Sequence, residues 1–217
     1  MMQHKFDDIS KHVSLKGMLK LDRIAEEAAQ IARERESASR WLAKNTADSC
    51  WMVVQVAFGH EQAVERAMLE ADIEACVPMR MGPERKRHGK RLPAQSMPVF
   101  NGVVFVFCLN IGEALRGVLG FKHVNRIIMN GERAVPIDAE VINSFKVMAE
   151  NGDYDWERSS SAFYKGQTVR ITSGPFVGYE VRIDAFAGAG NGDAVVTILI
   201  FGKPTVFNMP LVMLEKV

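Results

Sequence analysis

Between Arg80 and Arg91 the chain places Arg80, Arg85, Lys86, Arg87, Lys90 and Arg91 against the single acid Glu84, a local net charge of +5 with His88-Gly89 at the expected tip. Cations at this density suit phosphate contact. No aromatic residue is interleaved with them, so base stacking is not indicated, and a solvated surface loop accounts for the run as well. Nothing else in the chain is arranged for bond-making chemistry. His60, His88 and His123 are scattered, and no P-loop, nucleophile elbow or close acidic pair stands out. Cys50, Cys76 and Cys108 are widely spaced without a C-x-x-C pair, which predicts buried free thiols rather than a zinc site or a disulfide framework. The reading is therefore a binding protein, not an enzyme, with no cofactor and no metal.

The 217 residues leave room for two small domains, and 47% hydrophobic with 24% charged residues is a globular composition. A net charge of +1 argues against a chain that coats nucleic acid along its whole length. The longest apolar run, residues 103–109, is far short of the ~20 residues that cross a bilayer, and the start MMQHKFDD has no signal-peptide core. The expected location is the reducing cytoplasm.

Several elements must position the basic run. Residues 18–44 contain no proline or glycine, and Leu21, Ile24, Ala28, Ile31, Ala38 and Leu42 follow a three-four spacing, which predicts one long helix in an extension covering residues 1–50. Gly17 is expected to lie outside that helix. WMVVQVAF from Trp51 reads as a buried strand, His60 to Asp72 as a helix, and Ile73 to Pro78 as a short strand. Beyond the basic loop, VFNGVVFVFCL (99–109) is the strongest strand signal in the chain. A short helix at 112–119, a strand at 124–129 ending in Asn130-Gly131, and a helix opened by Asp138 complete a β-α-β-β-α-β-α order. That order predicts an α+β sandwich, an antiparallel sheet with helices laid over it, across residues 51–148.

Residues 149–161, AENGDYDWERSSS, set four acids against one arginine and read as a flexible linker. The remainder, 162–217, is all β. In KGQTVRITSGPFVGY (165–179) Val169 and Ile171 alternate with polar residues until Ser173-Gly174-Pro175 forces a turn, and DAVVTILIF (193–201) follows the glycine-rich 188–192.

The spacing V-R-I-T-S-G-P-F-x-G resembles a KOW motif, shared by some ribosomal proteins and by NusG-type transcription elongation factors. The upstream segments choose between them. Trp51-Met-Val-Val-Gln55, Gly59, Glu61, Val77-Pro78, the basic hairpin, Phe100-Asn-Gly102, Val135-Pro136-Ile137 and Ile200-Phe201-Gly202-Lys203-Pro204-Thr205 are similar, in order and spacing, to NusG over about residues 51–217. The resemblance implies an NGN sandwich followed by a small SH3-like β-barrel, the KOW domain, with the N-terminal helical extension outside the match.

It further implies that the NGN domain binds the clamp helices of RNA polymerase and favours processive elongation or antitermination. Met52, Phe100, Gly102 and Val103 match the polymerase-binding patch, with Asn101 in place of the family's proline and Met52 and Val103 in place of aromatics. Arg85, Lys86, Arg87, His88, Lys90 and Arg91 fall where the family's hairpin faces non-template DNA. Gly174, Pro175, Phe176 and Phe201 fall on the KOW partner-binding surface, for which ribosomal protein S10 or Rho are the implied partners. The barrel itself carries five Lys or Arg against four Asp or Glu, and this balance favours a protein partner over RNA. The added fifty residues and lost aromatics point to a specialised paralog acting on selected operons; a housekeeping NusG and an RNA-binding or ribosome-associated KOW protein are the alternatives.

Overall fold

The computed structural model describes residues 14–87, 90–155, 163–187 and 192–217; the expected hairpin tip His88-Gly89 and the later part of the expected linker lie outside the described residues. Helix α1 spans Leu15–Ser37 and α2 spans Arg40–Lys44. The single helix expected over 18–44 is therefore two. Ala38 and Ser39 turn their N–H groups back to Arg35 and Glu36, and the Ser39 hydroxyl accepts from Leu42 N as a fresh N-cap, which ends one helix and starts the next. At the other end Ser14 Oγ accepts from Gly17 N, so Gly17 sits inside the first turn of α1 rather than ahead of it.

The central sheet has strand order β2-β7-β1-β8, with β1 Ser49–Val56, β2 Glu74–Cys76, β7 Val103–Leu109 and β8 Val124–Ile127, all antiparallel. Successive side chains of a strand point to opposite faces, and here both faces are buried. Met52, Val54, Val104, Val106 and Cys108 pack under α3 (Glu61–Glu70) and α4 (Gly112–Leu119), against Val64, Met68, Leu115 and Val118. Trp51, Val53, Val103 and Phe105 face the other way, toward α5 (Ala139–Glu150). Each face needs its own cover.

Between β2 and β7 the chain forms an arm. Strands β3 (Met79–Met81) and β6 (Ser96–Pro98) pair at its base, and β4 (Arg85–Arg87) pairs with β5 (Lys90–Leu92) farther out. After β8, the hairpin of β9 (Met129–Asn130) and β10 (Arg133–Ala134) is clasped by buried Asn110, whose side chain donates to Ala134 O (2.9 Å) and accepts from Ala134 N (2.8 Å). That clasp delivers Ile137 to Trp51, where Ile137 N donates to Trp51 O at 2.8 Å.

Helix α5 runs to Glu150, and the turn after it is folded: Tyr154 is buried against Phe145 (ring centroids 5.2 Å) and the Asp155 carboxylate accepts from Met81 N (2.7 Å). Burial of an aromatic ring fixes this turn, so residues 149–155 of the expected linker belong to the folded N-terminal domain. The C-terminal barrel is one five-stranded antiparallel sheet in the order β14-β13-β12-β11-β15, from β11 Thr168–Ile171, β12 Glu180–Ala187, β13 Asp193–Ile200, β14 Lys203–Pro210 and β15 Leu214–Lys216. A register shift between Ile183 and Ala185 bends β12, as a bulge does.

Replacing Asn110 by Ala leaves the buried N–H and C=O of Ala134 without partners. A loss of about 3 kcal/mol is expected, read from the midpoint of chemical unfolding.

Candidate functional site

Phe100 lies in the turn that leads from the arm back into β7, and it is 3% exposed. Two hydrogen bonds and a glycine in the left-handed region hold that turn. Gly102 N donates to the buried Glu61 carboxylate (2.6 Å), Val56 N donates to Gly102 O (2.9 Å), and Gly102 has φ +75° with Phe58 Cε1 and Val56 O both 3.3 Å from where a Cβ would stand. A side chain at 102 meets both strain and crowding.

What covers Phe100 comes from two domains. Phe105 (6.3 Å) and Phe145 (5.4 Å) flank its ring from the N-terminal domain, while Phe176 (5.8 Å) and Phe207 (6.4 Å) flank it from the C-terminal barrel. Phe176 and Phe207 themselves lie 4.5 Å apart. Val103, Phe105 and Trp51 share this buried cluster with Val169, Val196 and Met213 of the barrel. The barrel thus closes the second face of the sheet together with α5.

Two polar contacts fix how the barrel sits. Asn101 forms an isolated β-bridge with Asn208 of β14. Arg80 of β3 donates from Nη2 to Asp193 Oδ1 at 2.5 Å, with the two side chains only 1% and 11% exposed. Arg80 was counted with the basic loop in the sequence; it is an interdomain ion pair instead. Among the described residues its Nε and Nη1 find no hydrogen-bond partner, and neither does Asn208 Oδ1, so the pair is incompletely compensated there. Burial pushes the Asp193 carboxyl above its usual range and the Arg80 guanidinium opposes that shift.

The structure brings together only part of the patch that the sequence resemblance implied. Phe100, Gly102 and Val103 meet on the barrel side. Met52 does not join them: its side chain is fully buried on the opposite face, beside Cys108 (Sγ to Sδ 4.0 Å), because adjacent residues of a strand alternate. Trp51 and Phe105 are the residues that share Phe100's face, and Lys146 Nζ stands 4.4 Å over the Trp51 ring. The pairing Trp51 with Phe107, Val53 with Phe105 and Gln55 with Val103 fixes that parity, and pairing is absent from a linear pattern.

The basic arm keeps its expected charges elsewhere. Backbone register sets Lys86 opposite Arg91 and Arg87 opposite Lys90, and Lys90 and Arg91 are exposed. His88 lies outside the described residues. The expected KOW surface is divided: Phe176 packs against Phe100 of the N-terminal domain, Phe145 lies 3.3 Å from where a Cβ on Gly174 would stand, and Pro175 between them is half-buried, whereas Phe201, at φ +47°, is 61% exposed beside exposed Leu199 and Val206.

Two histidines the sequence left scattered come together. The rings of His60 and His123 stack at 3.7 Å and 6°, and shielding from water, His60 and Lys122 together hold His123 below its usual range. Among the described residues no group of three or more His, Cys, Asp or Glu is placed to hold a metal. Cys50, Cys76 and Cys108 are free thiols, and burial pushes Cys76 and Cys108 up to about 12. No described helix is long and apolar enough to cross a membrane.

Residues 49–146 match the family model described as transcription termination factor nusG. Over those residues the chain is similar to NusG. It is 24% identical over 176 residues, 77% of this chain and 97% of the relative, to the transcription termination/antitermination protein NusG of Campylobacter jejuni. Solved structures similar to it include one described as domain interaction in Thermotoga maritima NusG (20% identity, 78% of this chain, 97% of that chain, TM-score 0.40). Another is the MjSpt4:Spt5 complex in conformation A (15% identity, 77% and 97%, TM-score 0.24).

Loss of either charge of the Arg80–Asp193 pair strands the other in an apolar interface. Arg80→Ala is expected to shift the closed arrangement toward an open one by about 3 kcal/mol, while Arg80→Met with Asp193→Leu keeps it closed. Small-angle scattering and amide line widths of the barrel read the difference.

Proposed function

We propose that this NusG-like protein is a transcription elongation or antitermination factor that binds RNA polymerase through the N-terminal face around Phe100. The observation that supports it most directly is the concentration of Trp51, Phe100, Val103 and Phe105 on one sheet face, held in place by a pinned turn and covered by a separate domain rather than by the domain's own helices alone. A large apolar face of this kind marks an interaction site. Met52, on the opposite face, is left out of the polymerase-facing set, and Trp51 and Phe105 enter it.

In the closed arrangement the barrel occupies the same face, so polymerase and barrel compete for it. Binding then costs the opening of Phe176 and Phe207 away from Phe100, which makes the factor selective for sites where something favours opening. That requirement fits action on selected operons better than a general role. Once the factor is bound, the basic arm Arg85, Lys86, Arg87, Lys90 and Arg91 faces the non-template strand, contacting phosphates. The released barrel offers Gly174, Pro175 and Phe176 together with Phe201 to a protein partner, with ribosomal protein S10 or Rho as the partners the family resemblance suggests. A near-neutral barrel, five cations against four acids, gives RNA little to hold.

Binding to purified elongation complexes tests this. Phe176→Ala weakens only the cover and is expected to bind about tenfold tighter than the native chain. Replacing Arg85, Lys86, Arg87 and Arg91 by Ala should weaken binding and flatten its salt dependence by about 0.7–0.9 in log–log slope per lost phosphate contact. No binding by the native chain or by Phe176→Ala would refute the polymerase reading, and an unchanged salt slope would refute the DNA-facing arm.

A further inference from the structure

Among the described residues, helix α1 is anchored at one end only. At Glu34 and Arg35 its backbone lies against α4 so closely that a Cβ on Gly117 would stand 2.2 Å from Glu34 O. The Glu34 carboxylate accepts from Arg116 Nε at 3.0 Å, and the Arg35 guanidinium lies 4.5 Å over the Phe121 ring. Helix α4 has eight residues, about 12 Å, whereas the 23 residues of α1 extend about 34 Å. Most of α1 therefore runs past its support.

That free portion is not a polar helix. Leu21, Ile24 and Ile31 are 47%, 48% and 46% exposed, they line up with Ala28 at three-four spacing, and no residue of α1 is buried. A helix this long without a packed face gains little of the stability that tertiary contact normally supplies. The stripe calls for a partner helix of matching pattern.

We propose that the partner is α1 of a second copy, packed antiparallel about a two-fold axis near residues 22 and 23. In that register Leu21 meets Ile24 of the second copy, Ile24 meets its Leu21, and Ala28 meets its Gly17, where two small residues allow close approach. Lys20 then falls beside Glu27 of the second copy, and the two-fold axis repeats the pair. Glu27 is available for it, since its link to Arg23 is a 3.6 Å surface contact with both side chains about two-thirds exposed. Parallel pairing offers no such match: Lys20 and Glu27 would flank Ala25 and Ala32. The paired segment ends before Glu34, so the anchor on α4 stays in place. The Phe100 face lies across the sheet from α4 and is untouched by the pairing.

Sedimentation of the full chain across a wide concentration range tests the proposal. The native protein is expected to show a concentration-dependent dimer, and Leu21→Asp with Ile24→Asp a monomer whose thermal unfolding is otherwise unchanged. Lys20→Glu and Glu27→Lys should each weaken dimerisation about tenfold, because both copies of the pair become repulsive. An equimolar mixture of those two variants should recover native affinity, since each contact then joins opposite charges again. A native chain that stays monomeric, or a dimer that survives Leu21→Asp with Ile24→Asp, overturns the pairing. Failure of the mixture to exceed either variant alone overturns the antiparallel register.

Discussion

A sheet that is apolar on both faces has to be covered twice, and in this chain the second cover comes from another domain. Helices α3 and α4 close one face from within the N-terminal domain. The other carries Trp51, Val53, Val103 and Phe105, and α5 is too narrow to close it alone, so Phe176 and Phe207 of the barrel complete the enclosure around Phe100. The surface suited to a partner and the surface that holds the two domains together are one surface.

The polar contacts decide how firmly the enclosure holds. A buried ion pair costs more desolvation than a surface one, and among the described residues Arg80 keeps two donors without acceptors, so the Arg80–Asp193 pair sets orientation more than it adds stability. The apolar cluster supplies attraction and the pair supplies register. An interface built in this way can be released without unfolding either domain, because each retains its own strands: the four-stranded sheet on one side and the five-stranded barrel on the other.

Much of this was legible in the residues. Period-two alternation located the strands of both domains, three-four spacing located the helices, and the order of motifs from Trp51 to Thr205 pointed to the family. What failed did so for physical reasons. Ser39 caps a second helix in a stretch with no proline or glycine, and capping competes with propensity on equal terms. Met52 and Trp51 are neighbours in sequence and opposites in space, and only the register with β7 decides which of them shares a face with Phe100. Arg80 looked like one more cation of a basic loop because its partner, Asp193, lies 113 residues away. An apolar face announces that it needs a cover, and nothing in a linear pattern says which domain supplies it.

The most direct measurement is a disulfide across the interdomain bridge. Asn101 and Asn208 are paired backbone to backbone, a spacing that suits a cross-strand disulfide. With Asn101→Cys and Asn208→Cys, oxidation is expected to link the domains rapidly in the native chain, to abolish binding to RNA polymerase, and to be fully reversed by reductant. Polymerase binding that is equal in the oxidised and reduced forms, with the disulfide shown to be complete, would contradict the claim that one surface serves both purposes.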